Sequence, residues 1–251
     1  DETRLSTIVR SPDWISTEYN NQNNAEDFYT ISPEEVLSPD SLTDWSYRKK
    51  ITIDADQIDS DLVDFPVLIN FSADTDLSNS AQSNGDDIIF LPSTAVWSTD
   101  NTNDRYAHEL ETYTTATGQM IAWLKIPELS SSVDTVIYMY YGNAGNSDLS
   151  SDNVWDENYV VVQHLNENCG TTECLLDSSG NGFNSTPYTN STTIGNLYEA
   201  NAFIGSGAEF SPEAAYVGQN NILIEDSGAV SPDNLPIPDG DFGVSMWAYF
   251  A

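Results

Sequence analysis

Nine consecutive residues, Asp134–Gly142 (DTVIYMYYG), constrain this chain more than any other stretch. On an extended backbone Val136, Tyr138 and Tyr140 fall on one face, and Ile137, Met139 and Tyr141 on the other. A run that is apolar or aromatic on both faces suits a strand covered on both sides, in the middle of a β-sandwich. Gly142-Asn143 ends it with turn chemistry. Everything from Trp45 to this point reads as one compact module that the strand closes.

The rest of that module follows the same pattern. Trp45–Ile53 alternates, and Phe65–Phe71, Asp87–Leu91, Glu109–Tyr113 and Met120–Ile126 read as further short strands. Asn84-Gly85-Asp86 and Thr117-Gly118 supply turns, and Pro127 is expected to end the strand before it. Regular short strands with turns between them predict an all-β fold, an antiparallel, jelly-roll-like sandwich over residues 45–143. Arg48, Lys49 and Lys50 are expected on its outward face, paired with nearby acids. Asp54, Asp56, Asp59, Asp61 and Asp64 are spaced like a calcium loop, but an EF-hand needs Gly at its sixth position and Glu at its twelfth. Asp59 and Phe65 stand there instead, which favours a solvated hairpin loop.

Residues 144–158 read as a polar connector to a second module, 159–251. Its strands are Tyr159–Leu165, Gly207–Phe210 and Asp241–Phe250, the last with Phe242, Val244, Met246 and Ala248 on one face. Upstream, Asp1–Leu5 can form one strand, and Ser11-Pro12-Asp13 starts a helix of one or two turns. Asn20–Asn24 is too polar and turn-prone to continue that helix. Residues 1–31 cannot build a core alone, and 32–44 read as a linker rich in Pro, Ser and acids.

Charge narrows the partners. With 40 acidic against 7 basic residues the net charge is −33. Nucleic acid is excluded, because phosphate binding needs a basic footprint. An anionic membrane surface is disfavoured for the same reason. The surface suits salty or calcium-containing surroundings. No apolar run approaches the roughly 20 residues of a membrane span, no signal peptide is visible, and the chain reads as an internal piece of something longer. Cys169 and Cys174 lack the spacing of a structural zinc site and are read as a local disulfide, hence an oxidising compartment. So short a loop contributes about 2 kcal/mol. Sequons at Asn70, Asn184 and Asn190 permit N-glycosylation.

Two resemblances cover nearly the whole chain. YVVVQHLNE, LLDSSGNGFN, GSGAEF and DFGVSMWAYF, in that order, resemble the first half of a concanavalin-like, laminin-G-type lectin lobe over 159–251. Trp45-x-Tyr47-Arg48, DFPVLI, NGDDIIF, AWLKIPEL and YMYYGN resemble the small domain of unknown function that often precedes such lobes in microbial surface proteins. Residues 1–31 are similar to the last strand and tail of the same lobe type. The resemblance implies the end of one lobe, a complete small β-domain and the start of another lobe. Residues 1–31 cannot form a core alone, and Asp241–Phe250 would leave unpaired edges. Copies are therefore expected to associate head to tail at a cell surface or in a filament, residues 1–30 of one completing the lobe of the next. The alternative is completion of both lobes within one long covalent array.

No catalytic constellation emerges. His108-Glu109 begins like a zinc-protease motif, but Thr112 stands where the second His is required. His108 and His164 are read as buried or half-buried strand residues. No nucleophile elbow and no carboxylate run of the lectin-fold glycosidases occurs. The chain is therefore expected to be non-enzymatic. Calcium is the remaining ligand reading: Asp177–Gly182 concentrates a carboxylate, hydroxyls and an amide oxygen, and Asp177, Asn181 and, by resemblance, Asp1 are the candidate ligands. The alternative is an ordinary turn, with Asp177 bonding its own backbone. A structural or adhesive role and a calcium-dependent glycan-binding role both follow from the resemblance.

Overall fold

The structure is a computed structural model. It describes residues 2–37, 44–94, 105–145, 147, 150, 152–167, 175–188, 198–199, 202–208, 221–224 and 241–247. In chain order its elements are β1 (Glu2–Ser6), α1 (Pro12–Asn23), α2 (Ala25–Phe28), β2 (Tyr29–Ile31), β3 (Glu35–Val36), β4 (Tyr47–Ile53), β5 (Leu62–Phe71), α3 (Thr75–Ser80), β6 (Ile89–Pro92), β7 (His108–Thr114), β8 (Gln119–Leu129) and β9 (Thr135–Tyr141). Then follow β10 (Tyr159–Gln163), β11 (Ser185–Tyr188), β12 (Tyr198–Glu199), β13 (Gly207–Ala208), β14 (Asn221–Ile224) and β15 (Gly243–Trp247). The chain is all-β in antiparallel sheets and divides into two compact units, residues 11–154 and residues 1–10 with 155–251.

The first unit is the expected sandwich. One sheet has the order β2-β4-β9-β6, with β3 also on β4, and the other the order β5-β8-β7. Ile51, Ile53, Ile137 and Met139 from one sheet meet Phe65, Val67 and Leu124 from the other in a single core. β9 lies between β4 and β6, as its two-sided pattern predicts. Its inner face joins that core, and its outer residues Tyr138 and Tyr140 pack with Ile89, Leu91, Leu37 and Trp45.

The stretch from Asp54 to Asp64 crosses from one sheet to the other instead of closing a hairpin, since β4 and β5 pair in different sheets. Three further expectations for this unit change. Pro127 does not end β8, which runs on to Leu129. Pro127 lies beyond the last pairing with β7, and opposite it Asp64 adopts a left-handed φ of 50° without a ladder pair, so no sheet hydrogen bond is lost there. Lys49 faces inward, because it shares the face of Ile51 and Ile53 and sits opposite Met139. Arg48 does face out, ion-pairing with Glu35 at 2.7 Å and lying over the Tyr138 ring at 4.3 Å.

The third change concerns residues 11–31. The helix begins at Ser11-Pro12 as expected, the Ser11 side chain accepting from the Trp14 N–H. It then runs through the polar stretch to Asn23, because those polar residues have buried work. Asn21 is fully buried; its Oδ1 accepts from the Leu68 N–H at 2.7 Å and its Nδ2 donates to the Leu68 carbonyl at 3.0 Å. Asn20 donates to the Gln57 carbonyl at 3.0 Å. Two residues along β5, the Tyr29 hydroxyl accepts from Asn70 N–H at 2.8 Å and donates to its carbonyl at 3.1 Å. These side chains complete the edge of β5 that β8 leaves open. The expected 1–31 segment is thus divided near residue 10, its larger part belonging to the small domain together with the expected linker's β3.

In the second unit β1 is the middle strand of the order β10-β1-β15. Thr3 pairs with Gln163 on one side and Met246 on the other. The strand addition expected between copies therefore occurs within one chain. Where the chain leaves this unit and returns, the Thr7 N–H donates to the Asn158 carbonyl at 2.8 Å, and Arg10 holds Asp156 by two bonds of 2.9 Å. In chain order the small domain, residues 11–154, is an insertion within this unit. β15 forms as expected, but Phe242, Val244 and Met246 are 48 %, 54 % and 58 % exposed.

Candidate functional site

The Asp177 turn is built against β10. Its chain reverses at Gly180 and Gly182, whose φ values of 82° and 78° lie in the left-handed region. Oδ1 of Asp177 accepts from the N–H of Val162 at 2.9 Å and of Ser179 at 3.0 Å. Oδ2 accepts from the Ser179 hydroxyl and the Phe183 N–H, both at 2.9 Å. Ser178 N–H donates to the Val162 carbonyl at 2.8 Å, so Asp177 and Ser178 together bond the edge of β10 away from β1. Asn181 Nδ2 donates to the carbonyls of Tyr159 at 2.9 Å and Val160 at 3.1 Å. Asp177 and Asn181 are thus brought together as clips on one strand. Asp1 lies outside the described residues. The adjoining Glu2 is not brought to this turn, since β10 runs between β1 and the turn. Among the described residues, no cluster of three or more His, Cys, Asp and Glu side chains has the arrangement of a metal site.

Glu2 instead belongs to a buried ionic group on one face of the sheet. Glu2 and Arg4 are 4 % and 2 % exposed and bond at 2.7 Å, and His164 Nδ1 lies 3.4 Å from the same Glu2 oxygen. Arg4 also lies over the Trp155 ring at 4.7 Å. Burial by itself would raise the Glu2 pKa, but the Arg4 charge and the His164 bond outweigh it and hold the carboxyl at about 2. Sequence reading missed this group; the only signal was an i, i+2 acid–base pair in a predicted strand.

In the small domain the sequence landmarks converge. Asp87 of NGDDIIF is fully buried, and its carboxylate accepts from the N–H groups of Gln82 at 2.9 Å, Gly142 at 2.7 Å and Asn143 at 2.9 Å. Its carbonyl accepts from Trp45 Nε1 at 2.7 Å. Gly142 has φ 83°, and a Cβ there would stand 2.6 Å from the Tyr47 ring. Trp45, Tyr47, Asp87 and Gly142 are therefore one knot, which explains their spacing without any chemistry. At another place Lys49, Asp74 and Asp76 form an ion-paired group, and the Tyr141 hydroxyl donates to Glu34 at 2.7 Å. Burial and the Glu34 carboxylate push the Tyr141 pKa up.

His108 and His164 are buried, at 3 % and 6 % exposure, His108 edge-on to Phe90 at 5.5 Å. Of the sequons, Asn70 is half-buried in β5, and Asn184 is half-buried with its Oδ1 accepting from the Asp177 N–H at 2.9 Å. Asn190, Cys169 and Cys174 lie outside the described residues.

Residues 84–164, roughly a third of the chain, match the model of a family described as a domain of unknown function (DUF2341). The match runs from the Asn84 turn through β6–β9 to the residue after β10. No curated protein and no solved structure matches the chain. Among the described residues, no helix is long and apolar enough to cross a membrane.

Proposed function

We propose that this chain is a non-enzymatic structural or adhesive module of an extracellular surface protein, associating with neighbouring copies through its β-rich lobe. The observation that carries the reading is β15. It is the end strand of the described three-stranded sheet, and Phe242, Val244 and Met246 beside and along it are about half exposed. An end strand with an apolar face invites a strand or sheet from another copy. Because β1 is already paired on both sides within the chain, association rests on β15 and not on exchange of residues 1–30. Contact between unlike surfaces propagates into a filament unless it closes into a ring. Asp87, Asp177, Asn21 and Tyr29 support a structural role, since each holds backbone groups in place. Sedimentation velocity of the full chain over a concentration series tests the reading, in enough salt to screen the net −33. Association should grow with concentration and vanish in Val244→Asp and Met246→Asp. A monomer at every concentration refutes it.

A second reading, a calcium-dependent glycan-binding lectin module, is favoured by one feature. Phe203 stacks on Trp247 with centroids 4.4 Å apart and planes 22° from parallel, and Phe203 is 49 % exposed. Such a platform suits the apolar face of a sugar ring. The four donors on Asp177 fill the acceptor sites of its carboxylate, so calcium there would displace some of them. Glycan binding that Phe203→Ala and chelator each abolish would establish this reading; retention of binding in both would remove it.

A further inference from the structure

Lys49 differs from the other basic residues of the small domain. Its side chain lies on the inward face of β4, with Ile51 and Ile53, and is 5 % exposed. Nζ meets Oδ2 of Asp74 at 2.5 Å and Oδ2 of Asp76 at 2.8 Å. Asp74 is held from every side. Its N–H donates to the Thr117 carbonyl at 2.9 Å and its carbonyl accepts from Ser78 N–H at 3.0 Å. Its Oδ1 accepts from the N–H of Asp76 at 2.9 Å and of Leu77 at 3.0 Å. Gly118 abuts the Asp74 carbonyl so closely that no Cβ fits between them. An amine and a carboxyl group are thus fixed in contact inside a sandwich, with a second carboxylate touching the amine.

We propose that Lys49 and Asp74 condense into an intramolecular amide that cross-links β4 to the segment entering α3. Nζ of the ammonium passes one proton to Oδ2 of Asp76, and the neutral nitrogen attacks Cγ of Asp74. The N–H groups of Asp76 and Leu77 hold the charge that develops on Oδ1. The Cγ–Oδ2 bond then breaks, and Oδ2 leaves as water with the proton returned by Asp76 and a second from the nitrogen. One C–N bond forms, one C–O bond breaks and one water is released; no oxidant, reductant or co-reactant enters. Between separate molecules in water this condensation is unfavourable. Oriented intramolecular partners reach effective molarities of about 10⁵ M or more, which reverses the balance.

This goes beyond the proposed function and does not depend on it. The test is the intact mass of the full chain, made in a host without N-glycosylation, then reduced and denatured. The mass should fall below the sequence mass by one water, and digestion should yield a branched peptide joining the Lys49 and Asp74 segments. Lys49→Arg should return to the sequence mass. Asp76→Asn, with native circular dichroism, should stay at the sequence mass as well. A wild-type chain at full mass overturns the proposal. So does a lost water that maps to a linear peptide as an internal succinimide. An Asp76→Asn chain that cross-links as completely as the parent overturns the proton transfer assigned to Asp76.

Discussion

Replacing Asn21 tests whether residues 11–31 belong to the small sandwich. Among the described residues its side chain is the partner of the edge-facing N–H and carbonyl of Leu68, a residue 1 % exposed. Asn21→Leu keeps the branched side-chain skeleton and removes both bonds, leaving a buried donor and a buried acceptor. Each unsatisfied group costs about 1–3 kcal/mol, so a loss of about 3 kcal/mol is expected. For a unit of this size that lowers its melting temperature by roughly 6–12 °C. Asn21→Asp separates the two bonds. The carboxylate still accepts from the Leu68 N–H but sets negative charge against the Leu68 carbonyl in a fully buried place. Removing one partner's complement around a buried charge costs about 3–5 kcal/mol. Protonation restores a donor, so Asn21→Asp should recover most of its lost stability as pH falls toward 4, whereas Asn21→Leu should not. Urea unfolding of the full chain at pH 7 and pH 4.5, followed by the fluorescence of Trp14 and Trp123 in this unit, gives both numbers. A change under 0.5 kcal/mol in either variant at pH 7 would refute the edge-completion argument.

Three further outcomes are expected. The Glu2 carboxyl is held at about 2 against an ordinary 4.5, so its contribution is complete above pH 4.5 and lost as pH falls through about 2. That difference corresponds to about 3 kcal/mol for the lobe; Glu2→Gln should flatten the acid limb of its unfolding curve, and an unchanged limb would show that Glu2 is not its source. Gly118 has φ 67°, and an added Cβ would meet the Asp74 carbonyl oxygen; Gly118→Ala should therefore lose at least about 2 kcal/mol in urea titration, and a neutral result would contradict the close approach. Salt should raise the melting temperature by screening the net −33. On the second reading calcium raises it further at fixed ionic strength, an increment that Asp177→Ala removes; equal midpoints with and without chelator would leave screening alone.

The sandwich was legible in the sequence because its signal is local. The two-faced run of β9 announces a central strand, and alternating β4 and apolar β5 announce its neighbours, since burial on a pleated strand repeats every two residues. The Asp177 turn was legible too, but only as two alternatives, because a carboxylate that stitches backbone and one that holds calcium use the same residue types at the same spacing. What tertiary structure alone decided lies in long-range pairing of polar groups. Asn20–Asn24 reads as a helix stop, yet the helix continues because Asn21 finds the backbone of Leu68. Lys49 reads as surface charge between two other bases, and register turns it inward to Asp74. β1 reads as the last strand of something else, and it pairs with β10 and β15 far along its own chain. Sequence periodicity reports which face of an element is apolar; it carries no term for which distant donor will meet a given acceptor, and at each of these places that meeting decides the structure.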